Sequence, residues 1–129
     1  QIKILVCEDY DGNIIYLETL LEELGYDFVI AKNGKEGLDI WREKAFDVVL
    51  MDVQMPVMDG FQATQAIRDE EKNNKIPENL QCHIVGMTAH ALIADEDKCI
   101  NVGMNDYISK PIDEKKLIKI LKMIERKRA

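Results

Sequence analysis

Five polar side chains directly follow apolar runs of the sequence, in positions where they could bind a phosphoryl group or a metal ion. They are Glu8, Asp9, Asp52, Thr88 and Lys110. Carboxylate oxygens suit hard cations such as Mg²⁺ or Mn²⁺, a hydroxyl can donate to a phosphate oxygen, and an ammonium offsets negative charge. We therefore expect metal-assisted phosphate chemistry rather than a zinc site, because the sequence offers no cluster of histidine and cysteine.

The elements that position these residues can be predicted from the spacing of apolar side chains. Runs of strand length occur at residues 2–7, 28–31, 48–51, 83–87 and 107–108. Amphipathic helical patterns lie between them, as in Ile14, Leu17, Leu21 and Leu24 ahead of Gly25, a residue type that commonly ends a helix. This alternation predicts a parallel sheet with helices on both faces. The polar stretch 70–81 is predicted to be a surface loop.

The acidic residues should meet at one edge of such a sheet. Ligand sites of open α/β sheets lie beyond the carboxyl ends of the strands, where the strand order reverses. If the order is 2-1-3-4-5, the first and third strands are neighbours there, and Glu8, Asp9 and Asp52 converge. Two ionised carboxylates about 5 Å apart repel by roughly 3 kcal/mol at an effective dielectric constant of about 20. Such crowding favours a bound cation, and Lys110 and Thr88 could then hold a phosphoryl group on Asp52.

Length and composition indicate one domain without disulfides. The 129 residues are 47% apolar, which favours a single domain over residues 1–129 with its core at about 2–125. The net charge of −7 makes nucleic acid or an anionic membrane an unexpected partner. The three cysteines show no pairing pattern and suggest reduced thiols of a cytoplasmic domain. The first residue, Gln1, suggests a piece of a longer protein, whose remainder could be anchored in a membrane.

The same residues also carry a resemblance to a known family. Glu8-Asp9, Asp52 within the segment MDVQMPVMDG, Thr88 between Met87 and Ala89, and Lys110 between Ser109 and Pro111 occur in the order typical of that family. Together they resemble the receiver domain of two-component response regulators. The sequence around Asp52 and over residues 87–91 is most similar to receivers fused to hybrid sensor histidine kinases.

This resemblance implies a fold and a chemistry. The fold is a flavodoxin-like three-layer sandwich, with a five-stranded parallel sheet of order 2-1-3-4-5 and five helices. Asp52 is expected to take a phosphoryl group from a phosphohistidine of a histidine kinase or a histidine phosphotransfer protein. Asp9, Asp52 and the carbonyl of Gln54 would bind Mg²⁺, with Glu8 assisting through water. Such a domain, a monomer or weak dimer, is a switch that catalyses its own phosphorylation.

Further roles are expected, and those of Thr88, Lys110, Tyr107 and Pro111 follow from the resemblance. Thr88 and Lys110 would bind the phosphate oxygens, and their displacement would draw Tyr107 inward. Gln54 and His90 would modulate hydrolysis of the phosphorylated form. The bond before Pro111 is expected to be cis. Tyr10 departs from the family, because many hybrid-kinase receivers carry asparagine there.

Three other functions remain open at this point. A Mg²⁺-dependent phosphatase with an aspartate nucleophile uses similar groups, but such enzymes place a second aspartate where this chain has Gln54, which cannot act as a general acid. A flavin-binding module would need a first loop rich in serine, threonine and glycine, whereas Glu8 and Asp9 would repel a phosphate. A pure interaction domain would not need the complete set Asp9, Asp52, Thr88 and Lys110.

Overall fold

The computed structural model describes residues 2–89 and 93–128 and contains a five-stranded parallel sheet. Its strands are β1 (Lys3–Cys7), β2 (Asp27–Ala31), β3 (Val48–Asp52), β4 (His83–Thr88) and β5 (Asp106–Ser109). Its helices are α1 (Asp11–Glu23), α2 (Gly34–Glu43), α3 (Gly60–Asn73), α4 (Ile93–Asn101) and α5 (Glu114–Arg128), with a short 3₁₀ turn at Glu78–Leu80. The strand order is β2-β1-β3-β4-β5, as the resemblance implied.

The strands alternate their side chains between two separate apolar cores. Ile4 and Val6 of β1 pack with Leu17 of α1 and Leu121 of α5 on one face of the sheet. Leu5 and Cys7 of β1 pack on the other face of the sheet. Their partners there come from α2, α3 and α4 and include Leu38, Ala63, Ile67 and Cys99. Both faces are therefore covered, which explains why the strands read as nearly continuous apolar runs. The predicted three-layer sandwich is confirmed.

Local signals fix where several helices begin and end. The carboxylate of Asp59 accepts from the backbone of Gln62 while the Gln62 side chain accepts from the backbone of Asp59, so a capping box starts α3. Gly25 follows α1 with φ of +79°, a conformation that glycine adopts at little cost. Asp113 caps α5 through the backbone of Lys116. These features place the helices between the strands as the sequence pattern predicts.

The structure differs from the sequence pattern at two places. The stretch 70–81 was predicted to be a loop, but α3 continues to Asn73. The extra turn is stabilised by Glu71, which is only 1% exposed and accepts a hydrogen bond from Arg68 at 2.7 Å. In addition, Leu24 lies at the surface, and Leu20 occupies the core position instead. Across the described residues, none of the helices combines the length and apolar character needed to span a bilayer.

Candidate functional site

The three acidic residues meet at the carboxyl edge of the two central strands. Glu8 and Asp9 directly follow β1, Asp52 is the last residue of β3, and β1 and β3 are paired. Carboxylate oxygens of all three residues lie within 4.8 Å of one another. Glu8 and Asp52 are buried, whereas Asp9 is exposed at the rim. The three carboxylates therefore converge as predicted, and that of Asp9 is open to solvent.

Lys110 reaches into this cluster from the end of β5. Its Nζ lies 3.0 Å from Oδ1 of Asp52 and 3.2 Å from Oε1 of Glu8. Its backbone N–H donates to the carbonyl of Thr88 at 2.7 Å, and its peptide bond to Pro111 is cis, as the resemblance led us to expect. One ammonium thus bridges the two buried carboxylates.

Burial and charge set the protonation of these groups. Burial, together with the hydrogen bond to Glu8, raises the pKa of Asp52 to about 6, although Lys110 opposes this change. Burial by itself would lower the pKa of Lys110, but its contacts with Asp52 and Glu8 outweigh that effect and raise it. At neutral pH Lys110 is therefore cationic, and Asp52 is ionised in most molecules.

The loop after β3 folds closely over Asp52. The backbone N–H of Gln54 donates to Oδ1 of Asp52 at 3.2 Å, while the Gln54 side chain is exposed. Gly60 begins α3 so near the backbone that a Cβ there would overlap the carbonyl oxygen of Asp52. Thr88 ends β4 and is buried beside these groups, one residue beyond the partner of Asp52 in the β3–β4 register. Close packing thus fixes the environment of the Asp52 carboxylate.

Tyr107 lies away from the acidic cluster, between α4 and α5. Its hydroxyl is hydrogen-bonded to Glu96, which is the largest cause of the raised pKa of Tyr107. The ammonium of Lys116 sits 4.7 Å from the centre of the Tyr107 ring. We call Glu96, Tyr107 and Lys116 the outer clamp. His90, for which a role was predicted, lies outside the described residues.

One residue of the site was missed by the sequence analysis. Asn13 donates from Nδ2 to Oε1 of Glu8 at 2.5 Å. It is the third residue of α1, a position from which side chains commonly reach back over the helix start. The sequence pattern does not signal this contact, because it depends on the direction in which the start of α1 faces.

The donor set suits a hard divalent cation. Carboxylate oxygens from three residues converge, and Asp9 leaves one side open to water. Mg²⁺ prefers such oxygen ligands and commonly keeps several waters. The arrangement also places a buried acidic nucleophile next to a fixed ammonium, which suits phosphoryl transfer.

Comparison with known families decides the class of protein. Residues 4–122 match the family described as "Response regulator receiver domain". The chain belongs to this receiver family. The predicted family is therefore confirmed, and the fold described above is that of a receiver domain.

The receiver domain is also similar to parts of much longer curated proteins. It is 46% identical over 115 residues to hybrid signal transduction histidine kinase B of Dictyostelium discoideum, covering 85% of this chain and 6% of that protein. It is 39% identical over 122 residues to sensor protein GacS of Pseudomonas syringae pv. syringae, covering 92% of this chain and 13% of that protein. This receiver domain thus spans a small part of the curated relatives it matches.

Two solved receiver structures resemble this receiver domain over nearly its whole length. One is the receiver domain of Ssk1 from Saccharomyces cerevisiae, co-crystallised with the histidine phosphotransfer protein Ypd1; it matches with a TM-score of 0.85 and 34% identity, covering 96% of this chain and 86% of that one. The other is the receiver domain of the sensor histidine kinase PA1611 from Pseudomonas aeruginosa, with a magnesium ion coordinated in its active site cleft. The TM-score is 0.80 and the identity 34%, with 95% of each chain covered.

Proposed function

We propose that this receiver domain accepts a phosphoryl group on Asp52 from a phosphohistidine of a partner protein. The observation that carries the proposal is the setting of Asp52: a buried carboxylate 3.0 Å from a lysine ammonium and clustered with two further carboxylates. In the transfer, a bond forms between phosphorus and a carboxylate oxygen of Asp52 while the bond between phosphorus and the histidine nitrogen breaks. The imidazole leaves and the aspartyl phosphate remains.

The neighbours of Asp52 each have a distinct task in this step. Lys110 offsets charge on the phosphoryl oxygens, and the Thr88 hydroxyl donates a hydrogen bond to one of them. A divalent ion, Mg²⁺ or Mn²⁺, held by Asp9, Asp52 and the carbonyl of Gln54, would neutralise charge on the transferring oxygens. Glu8 would assist through a water molecule. We propose that the side chain of Gln54, which is exposed two residues beyond Asp52, influences hydrolysis, and we propose the same role for His90.

Phosphorylation would be transmitted to the outer face of α4 and α5. When Thr88 is drawn toward the phosphoryl group, Tyr107 is proposed to turn inward and leave Glu96 and Lys116. Breaking the outer clamp changes the surface that β5 and its flanking helices present. The signal therefore leaves the domain on a face different from that of the acidic cluster.

We propose a histidine phosphotransfer protein or a histidine kinase as the phosphoryl donor. The similarity to a receiver that was co-crystallised with such a protein supports this proposal. Apolar side chains next to the cluster also support it, since Tyr10 and Val57 are both exposed, Val57 to 82%. Each lies within a few residues of a proposed site residue, so a donor protein could contact them while its histidine approaches Asp52. A hybrid kinase as the parent protein remains part of this proposal.

The phosphoacceptor can be tested by intact-mass spectrometry after incubation with acetyl phosphate and Mg²⁺. The unaltered chain is expected to gain one phosphoryl group, Asp52→Asn none, and the control Asp97→Asn, an exposed position of α4, one. Unchanged labelling of Asp52→Asn would assign the acceptor to another residue. Sustained release of phosphate from simple monoesters would support the phosphatase alternative instead.

A further inference from the structure

We propose that Asn13 is a positioning residue for the cation site, acting through the carboxylate of Glu8. This inference rests on the proposed function, because it assumes that the acidic cluster binds Mg²⁺. It assigns a task to a helix residue that follows the acidic pair and has no charge of its own. The task is to hold the Glu8 carboxylate in place while Lys110 changes partners.

Asn13 is well placed to orient Glu8. Glu8 is fully buried, and its Oε1 accepts from Nδ2 of Asn13 at 2.5 Å and from Nζ of Lys110 at 3.2 Å. Asn13 lies in the first turn of α1, where Tyr10 precedes the helix and makes no side-chain capping bond within the described part of the chain. The amide of Asn13 therefore serves the acidic cluster instead of closing the helix end.

During phosphoryl transfer, Lys110 is not a dedicated hydrogen-bond donor for Glu8. Its ammonium contacts Asp52 and Glu8 together, so a phosphoryl group on Asp52 would attract it toward the new oxygens. Glu8 would then lose a donor at the moment when negative charge in the cluster increases. Asn13 comes from a different element and donates to Glu8 rather than to Asp52, so its hydrogen bond can persist.

A neutral amide also suits a metal site better than a second cation would. The N–H group satisfies one lone pair of a buried carboxylate, which is costly to leave unpaired. Because it carries no net charge, it does not repel a divalent ion a few ångström away. Partners that orient a metal-binding carboxylate in this way commonly change metal affinity by about 10–100-fold when removed.

The test is a double-mutant cycle on Mg²⁺ affinity, measured by isothermal titration of the unphosphorylated domain. Asn13→Ala is expected to weaken Mg²⁺ binding about tenfold. In the Glu8→Met background, where no side-chain acceptor remains for Asn13, the same change should have almost no further effect, because the two residues act through one hydrogen bond. Asn73→Ala, at an exposed position at the end of α3, is the matched control and should leave the affinity unchanged.

The outcomes separate this inference from the proposed function. Unchanged affinity in Asn13→Ala, or a full additional loss in the Glu8→Met background, would overturn the role of Asn13 while leaving phosphorylation of Asp52 intact. Absence of Mg²⁺ binding by the unaltered chain would overturn both. If Asn13→Ala does not fold, Asn13→Ser, whose hydroxyl is too short to reach Glu8, is expected to show the same tenfold loss.

Discussion

Lys110 Nζ lies 3.0 Å from Oδ1 of Asp52, so the proposed phosphoacceptor is held by an ammonium before any phosphoryl group arrives. The same ammonium contacts Glu8, which has no exposed surface. Burying carboxylates without a partner is costly, and removing one member of a buried ion pair commonly costs about 3–5 kcal/mol. Lys110 thus has a structural role in addition to the one proposed in transfer.

Replacement of Lys110 should therefore destabilise the metal-free domain. We expect Lys110→Met to lower the free energy of unfolding by about 3 kcal/mol at pH 7 in the presence of a chelator, measured by urea denaturation. Added Mg²⁺ should recover part of the loss, because binding to the folded state stabilises it. Lys115→Met, at an exposed position of α5, is the control and should have little effect. Equal stability of the two variants would contradict the structural role of Lys110.

Asp52 should make stability depend on pH in the absence of metal. Its pKa in the folded chain, raised by burial to about 6, exceeds the value near 3.9 expected in the unfolded chain. The folded state consequently binds more protons between these pH values, so the free energy of unfolding contributed by Asp52 falls as pH rises from about 4 to about 6. The expected decrease is about 2–3 kcal/mol, since the Asp52 side chain is only 4% exposed.

The comparison with Asp52→Asn tests this effect, because the substitution removes the titration of Asp52 and leaves the other titratable side chains in the chain. The variant should gain stability relative to the unaltered chain as pH rises from 4 to 7, and Mg²⁺ at pH 7 should reduce the difference. Urea denaturation at a series of pH values provides the measurement. A difference that does not vary with pH would show that Asp52 is not destabilised by its surroundings.

The outer clamp should oppose the phosphorylated conformation. Glu96→Ala removes the carboxylate to which the Tyr107 hydroxyl donates, so we expect tighter binding of beryllofluoride, a phosphoryl mimic, in the presence of Mg²⁺. An increase in affinity of about two- to fivefold corresponds to a hydrogen bond worth about 0.5–1 kcal/mol. Asp97→Ala, on the neighbouring exposed position of α4, should bind as the unaltered chain does.

The titration of Tyr107 tests the outer clamp without any ligand. Because the hydrogen bond that the Tyr107 hydroxyl donates to Glu96 is the largest cause of the raised pKa of Tyr107, that pKa should fall toward its ordinary value in Glu96→Ala. Carbon-13 NMR of labelled tyrosine can follow the titration. An unaltered Tyr107 titration, or weaker binding of beryllofluoride, would argue against the clamp.

The end of α3 offers a stabilising substitution. Lys75 has a φ of +56°, and the backbone N–H groups of Lys75 and Ile76 donate to the carbonyls of Lys72 and Glu71, so the helix ends in a Schellman motif. Glycine is favoured at this position because other L-residues are strained there. We expect Lys75→Gly to raise the free energy of unfolding by about 1 kcal/mol.

Lys72→Gly serves as the matched control for that substitution. It lies inside α3, where glycine costs about 1 kcal/mol, so the urea midpoints of the two variants should move in opposite directions. A lower midpoint for Lys75→Gly would contradict the strain assigned to Lys75.

Much of the fold could be predicted because apolar spacing and chain order determine it. The five strand runs and the helix stop at Gly25 follow directly from the sequence, whereas the strand order came from resemblance. The end of α3 was missed because Glu71 reads as part of a polar loop until its partner Cys82, whose backbone N–H donates to the Glu71 carboxylate at 2.9 Å, is seen. A charged residue buried by a distant contact gives no local signal.

The residues of the site also divide into those that the local sequence pattern identifies and those that depend on tertiary contacts. Glu8, Asp9, Asp52 and Lys110 could be predicted because each directly follows a strand run of the sheet. Asn13 and Glu96 could not, because they lie within helices and their roles depend on which way the helix faces. The direction of a helical side chain toward a particular carboxylate or hydroxyl is fixed by tertiary packing.

The ion pair between Glu8 and Lys110 joins positions 102 residues apart in the chain. A ribosome-bound chain that still lacks β5 would carry the acidic residues without the ammonium that balances them. Competence to receive a phosphoryl group should consequently appear only after β5 has been synthesised and has docked onto the sheet. Partly folded chains would then accept no phosphoryl groups. Incomplete receiver domains would therefore not draw phosphoryl groups away from the folded ones.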